Sequence, residues 1–164
     1  MTSSTSDSSA GAPEPELAVV DKAVTAVVRG VVPMEELRNF FDTSFRDLAE
    51  AVSAQQVAIA GPAFGLFHGP PQETADLEVG FVTDHPVRAQ GDVVASSLPG
   101  TRVARLVHFG GFDGLGSSWE RLDAWIREQG LSPGQLLWEF YLTEPSPDMD
   151  PDDLRTELNW SIAD

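Results

Sequence analysis

The sequence predicts an α+β fold: a mainly antiparallel sheet built from two strand-helix-strand-strand repeats, with two packed helices and a central ligand pocket. Three observations predict it. Apolar residues at steps of three and four mark two helices, one over 34–53 and one around 119–126. Short β-branched runs bounded by glycine and proline mark strands. The order strand, helix, strand, strand then occurs twice, and a repeated unit can enclose a site at the seam between its copies.

The elements follow in chain order. Residues 1–18, rich in Ser, Ala, Pro and acid, lack the apolar content to order themselves and read as a disordered tail, which leaves 19–164 as one domain. Ala23 to Val32 is β-branched and apolar, as a buried strand requires, and Pro33 ends it. Met34, Leu37, Phe41, Phe45, Leu48 and Val52 make one apolar helical stripe, with Asp42, Arg46 and Glu50 opposite. Ala63 to His68 and Asp76 to Thr83 are the next two strands, separated by Gly69-Pro70-Pro71. An extra edge segment lies around Asp92 to Ser96. The second copy starts with the strand Thr101 to Phe109. Trp119, Leu122 and Ile126 form the stripe of its helix, with Trp125 at the flank and Gly130 as the left-handed cap; both tryptophans read mainly as packing residues. Gln135 to Thr143 and Thr156 to Ile162 are the last strands, divided by the acidic turn Glu144 to Asp153.

Within that scheme Trp138-Glu139-Phe140-Tyr141 places a carboxylate in an apolar strand. Successive side chains of a strand point to opposite faces, so Glu139 shares a face with Tyr141, the one tyrosine of the chain. Trp138, Phe140 and Leu142 share the other face, where Trp138 and Phe140 are expected to hold the strand to the helices. A carboxylate among aromatics must reach water, find a partner or take a raised pKa, and each outcome suits a site that receives a cation or moves a proton.

Composition narrows the function. A net charge of −16, from 10 basic and 26 acidic residues, repels a phosphate backbone and disfavours anionic membranes, so neither nucleic acid nor membrane is expected as a direct partner. No apolar run approaches the roughly 20 residues that span a bilayer. The N-terminus has neither a basic nor an apolar signal region, and a cytoplasmic location is the resulting expectation. With no cysteine, thiolate catalysis and cysteine-based zinc sites are excluded. His68, His85 and His108 lack metal-ligand spacing, and HFGGF reads as a turn. The 148–153 acidic run lacks the glycine and final glutamate of a calcium loop and reads as a solvated turn. No hydrolase elbow, phosphate loop or dinucleotide fingerprint is present, so no metal and no cofactor is expected. Nothing in the residues indicates an oligomeric state.

Three stretches carry a family resemblance: HFGGFDGL (108–115), WEFYLTEP (138–145) and LRTELNW (154–160). In order and spacing they resemble the gyrase-inhibitor-like small-molecule-binding domain, from about Asp21 to Ala163. The same domain forms the effector-binding part of several multidrug-responsive transcription regulators. The first stretch looks like the family's turn before the second helix, although Gly111 and Phe112 stand where proline and tyrosine are usual. The second is similar to its Glu-x-Tyr strand, and the third to its closing strand. Regulators attach a helix-turn-helix segment, which the residues before the first strand do not provide, so the chain is expected to be a stand-alone member.

The resemblance implies that Glu139 lies on the floor of the pocket and faces cationic or electrophilic ligands. Tyr141 shares its face, and Phe67, Phe112 and Trp160 are the candidate aromatic walls; for each of the three, core packing is an equal reading. An aromatic wall adds about 0.5 to 2 kcal/mol for a held cation. The preferred function is a binding protein for small hydrophobic or cationic molecules, sensing or sequestering drugs or toxins. The alternative is a cyclopropanoid hydrolase with Glu139 as general base, as in some stand-alone members. It needs a second acid, for which Glu78 is the candidate, against a reading as a surface carboxylate. A third possibility is gyrase-type protein inhibition, supported by the acidic surface alone.

Overall fold

A computed structural model describes residues 14–69, 73–111, 114–143, 150 and 153–163. Eight strands and two helices follow one another as β1 (Glu16–Val20), β2 (Ala23–Pro33), α1 (Leu37–Ala54), β3 (Ile59–His68), β4 (Thr74–Thr83), β5 (Val93–Leu98), β6 (Thr101–Phe109), α2 (Leu115–Glu128), β7 (Ser132–Tyr141) and β8 (Arg155–Ala163). A 3-10 turn, Met34–Glu36, leads into α1 just after Pro33. α2 closes at Gly130, whose φ of 76° is the left-handed conformation a cap requires.

All eight strands join one antiparallel sheet in the order β1-β6-β8-β7-β3-β4-β2-β5. The two repeats are visible in that order. β2-α1-β3-β4 and β6-α2-β7-β8 each place their third strand between the other two, and β3 pairs with β7 at the seam. The register makes the halves comparable residue by residue. Leu66 lies opposite Trp138 at the seam, and across their own halves these two face Glu78 and Asn159. Glu78 therefore corresponds to Asn159, Arg29 to Arg105, and Phe67 to Glu139.

The sheet cannot be flat. β1 and β2 are six strand spacings apart, about 29 Å in a flat sheet, yet only Asp21 and Lys22 join them, a link that spans about 11 Å. β5 and β6 are separated in the same way and joined by Pro99 and Gly100. The sheet therefore rolls until its edges meet at one corner. Its inner face buries Val27, Phe64, Leu66, Leu98, Val103 and Trp138 without a helix. Its outer face carries the larger core, in which α1 covers β2 and β4 while α2 covers β6 and β7.

Two expectations change here. β1 begins at Glu16 and pairs with β6 from Glu16↔Arg105 to Val20↔Thr101, so the ordered domain starts inside the stretch that reads as a tail. Its five residues are held by a neighbour more than eighty positions away, which no local composition signals. Trp138 and Phe140 do not hold β7 to the helices; they pack inward with Phe64 and Leu66, the Phe64 and Phe140 rings meeting edge to face with centroids 6.1 Å apart. Most of the acidic turn and the first 13 residues lie outside the described residues.

Candidate functional site

Because Trp138 and Phe140 point inward, Glu139 and Tyr141 point outward, into the gap between the two helices over the β3–β7 seam. Gly65 on β3 lies opposite Glu139. A methyl group at Gly65 would stand 3.0 Å from the Tyr141 hydroxyl and 3.2 Å from the Phe41 ring, so the lack of a side chain there lets both reach over the seam. Phe41, from α1, meets Tyr141 edge to face with centroids 6.0 Å apart. From the other side α2 brings Trp119, whose indole packs edge to face on Trp160 at 5.6 Å.

The carboxylate is held by neutral donors. Tyr141 donates its hydroxyl to Oε1 at 2.8 Å, and the Trp119 indole N–H donates to Oε2 at 2.9 Å. Glu139 is 7% exposed. Burial raises its pKa above the ordinary carboxylate value, opposed by the hydrogen bonds from Trp119 and Tyr141 and by the nearby His108. Burial also raises the Tyr141 phenol well above its ordinary value, and the adjacent Glu139 adds to the effect. The seam thus holds a closed site around a buried carboxylate.

His108 secures the roof. Its Nε2–H donates to the Gly111 carbonyl at 2.8 Å, and its Nδ1 shares a hydrogen bond with the Ser118 hydroxyl at 2.7 Å. Ser118 and Trp119 are consecutive, so the first turns of α2 are tied to the sheet at both His108 and Glu139.

The predicted residues divide clearly. Glu139, Tyr141, Phe67 and Trp160 all reach the helix-covered face, where Phe67 and Trp160 are buried in its core. Trp160 touches the site through Trp119 and donates its own indole N–H to the Gly134 carbonyl at 2.9 Å. Phe112 lies outside the described residues. Glu78 is corrected: it is buried on the inner face, since Leu66 opposite it and Gly65 opposite Glu139 are consecutive and point to opposite sides. There it accepts from Ser96 at 2.8 Å, meets His68 at 2.9 Å and Arg29 at 3.6 Å. A sheet therefore separates it from Glu139, and it is neither a surface carboxylate nor an acid partner for that residue. Trp119, Phe41 and His108 are site residues that sequence reasoning misses. Only Gly65 leaves a signal, as a glycine inside an apolar strand.

The sequence matches the GyrI-like small molecule binding domain over residues 14–163. No protein of curated function matches it. The fold is similar to the C-terminal domain of EcmrR, with a TM-score of 0.81 at 15% identity, covering 92% of this chain and 98% of that one. In the EcmrR–DNA complex the score is again 0.81, at 17% identity, with 92% of this chain covered but only 57% of EcmrR's length. A hydrolase encoded by lin2189 from Listeria innocua gives 0.67 at 14% identity over 94% of each chain. SAV2435, in a structure bound to tetraphenylphosphonium, gives 0.65 at 12% identity over 92% of this chain and 94% of that one. At such identities the likeness is one of fold.

Proposed function

The chain belongs to the GyrI-like small molecule binding domain family, and from that premise we propose that it binds small lipophilic cations at Glu139, as a cytoplasmic sensor or sink for drugs or toxins. One observation carries this reading: among the described residues Glu139 is a buried carboxylate whose hydrogen-bond partners, Trp119 and Tyr141, are both neutral. The contrast lies within the same sheet. Glu78, equally buried, has Arg29, His68 and Ser96 around it. A buried carboxylate without a cation costs stability, and a guest cation recovers part of that cost. Phe41, Trp119 and Tyr141 offer such a guest aromatic faces and edges, and the seam between two separately covered halves is where the helices can part.

The test is calorimetric titration with tetraphenylphosphonium, alongside thermal unfolding. Binding to the native protein, with a raised Tm, is the expected result; no heat and no shift with this cation or with an aromatic quaternary ammonium would remove the reading.

A second reading, hydrolysis of cyclopropane-bearing electrophiles, is favoured by the 2.8 Å contact between Tyr141 and Glu139. A carboxylate with a raised pKa is a stronger base than an ordinary one. Glu139 would take a proton from the attacking water while its oxygen bonds to a ring carbon. The breaking carbon–carbon bond leaves its electrons on the electrophile, which Tyr141 protonates. Tyr141 thus takes the acid role that Glu78 cannot reach. A product heavier by one water, formed by the native protein and not by Tyr141→Phe, is expected under this reading; unchanged mass rules it out for the electrophile used.

A further inference from the structure

The two halves of the sheet act as internal controls for each other. On the helix-covered face His108, Thr156 and Tyr141 form one polar row across β6, β8 and β7, with Thr156 directly opposite both of the others. In the first half, Val32 and Ala75 occupy the places of His108 and Thr156, and Phe67 occupies that of Glu139. The fold therefore closes with apolar residues at these positions, and the polar row is a property of the second half alone.

Two members of the row have partners. His108 uses both ring nitrogens, on Gly111 and Ser118, and Tyr141 uses its hydroxyl on Glu139. Thr156 is 0% exposed, and its hydroxyl has no hydrogen-bond partner among the described residues. A buried hydroxyl of this kind is destabilising, and valine would fill the same volume without it. Thr156 also stands diagonally across the β7–β8 pair from Glu139, a relation that spaces side chains by about 7 Å.

We propose that Thr156 is a second polar anchor of the Glu139 site, selecting lipophilic cations that carry a hydroxyl or carbonyl about one aromatic ring's length from the charge. Glu139 takes the charge and Thr156 takes the hydrogen-bonding group. The inference rests on the cation-binding reading above and adds to it the shape of the ligand.

The test compares tetraphenylphosphonium with its para-hydroxyphenyl analogue, (hydroxyphenyl)triphenylphosphonium, by calorimetry on the native chain, Thr156→Val and Thr156→Ser. The native protein is expected to bind the hydroxylated cation about fivefold to tenfold more tightly, the worth of one neutral hydrogen bond. Thr156→Val should erase that preference, so that the two cations bind it alike, and raise the Tm of the unliganded protein. Thr156→Ser should keep the preference. Equal binding of both cations by the native protein, or a preference that survives in Thr156→Val, overturns the inference while the cation site stands. If neither cation binds the native protein, both readings fall together.

Discussion

Glu139→Gln is expected to weaken binding of a lipophilic cation by about thirtyfold, close to 2 kcal/mol, the scale of a contact made to a charged group. The amide keeps the volume and still offers an acceptor to Trp119 or Tyr141, so the loss reports the charge and not the packing. The same substitution is expected to stabilise the unliganded protein at neutral pH. The sign follows from the raised pKa of the buried carboxyl. Below the ordinary carboxylate value of 4.5 both folded and unfolded chains hold the proton, and burial carries no charge penalty. As pH rises toward the higher folded-state pKa, the unfolded chain releases its proton first, and the native protein loses stability until that pKa is passed. The Gln variant lacks this loss. Its Tm advantage should be absent near pH 4 and grow as pH rises toward neutrality. Cation affinity of the native protein should rise with pH over the same window, because the guest binds the ionised form. Thermal unfolding and titration of both proteins from pH 4 to pH 8 measure all of this; parallel Tm profiles for the two would contradict the assigned burial cost.

Gly80→Ala is expected to cost about 3 kcal/mol or more, at the upper end for a single added methyl group. The position lies on the inner face of β4 opposite Val27. A Cβ there would meet the Ala26 carbonyl oxygen at 1.9 Å, and also Val27 Cα at 3.0 Å, so the obstacle is backbone and not a side chain that can rotate. Relief would require β2 and β4 to separate. Gly116→Ala in α2 is the control. Nothing lies within 4 Å of its Cβ, and a helical glycine replaced by alanine should gain up to about 1 kcal/mol. Denaturant unfolding of the two variants should therefore give shifts of opposite sign. A Gly80→Ala protein as stable as the native one would mean that the strands do not approach as described.

Much of the fold is legible because it is written in local periods. The strand expected from Thr101 to Phe109 is found at those bounds, and the stripe from Met34 to Val52 becomes a 3-10 turn and α1. Faces are legible too: the alternation along Trp138-Glu139-Phe140-Tyr141 puts Glu139 and Tyr141 together, and they are bonded at 2.8 Å. What alternation cannot say is which of the two faces receives the helices. That depends on how the sheet rolls, and the roll is set by the two-residue links at Asp21-Lys22 and Pro99-Gly100 acting between strands that are remote in the sheet.

The sequence by itself determined the α+β class, the repeated order of elements and the shared face of Glu139 and Tyr141, since each follows from a spacing of two or of three and four residues. Tertiary structure alone decided that Trp138 turns inward, that Glu78 is sealed from Glu139 by the sheet, and that Trp119 reaches across 20 positions to the carboxylate. The physical reason is the same in all three cases. A side chain's partner across a sheet or beneath a helix is chosen by register and docking, which bring together residues that share no local pattern.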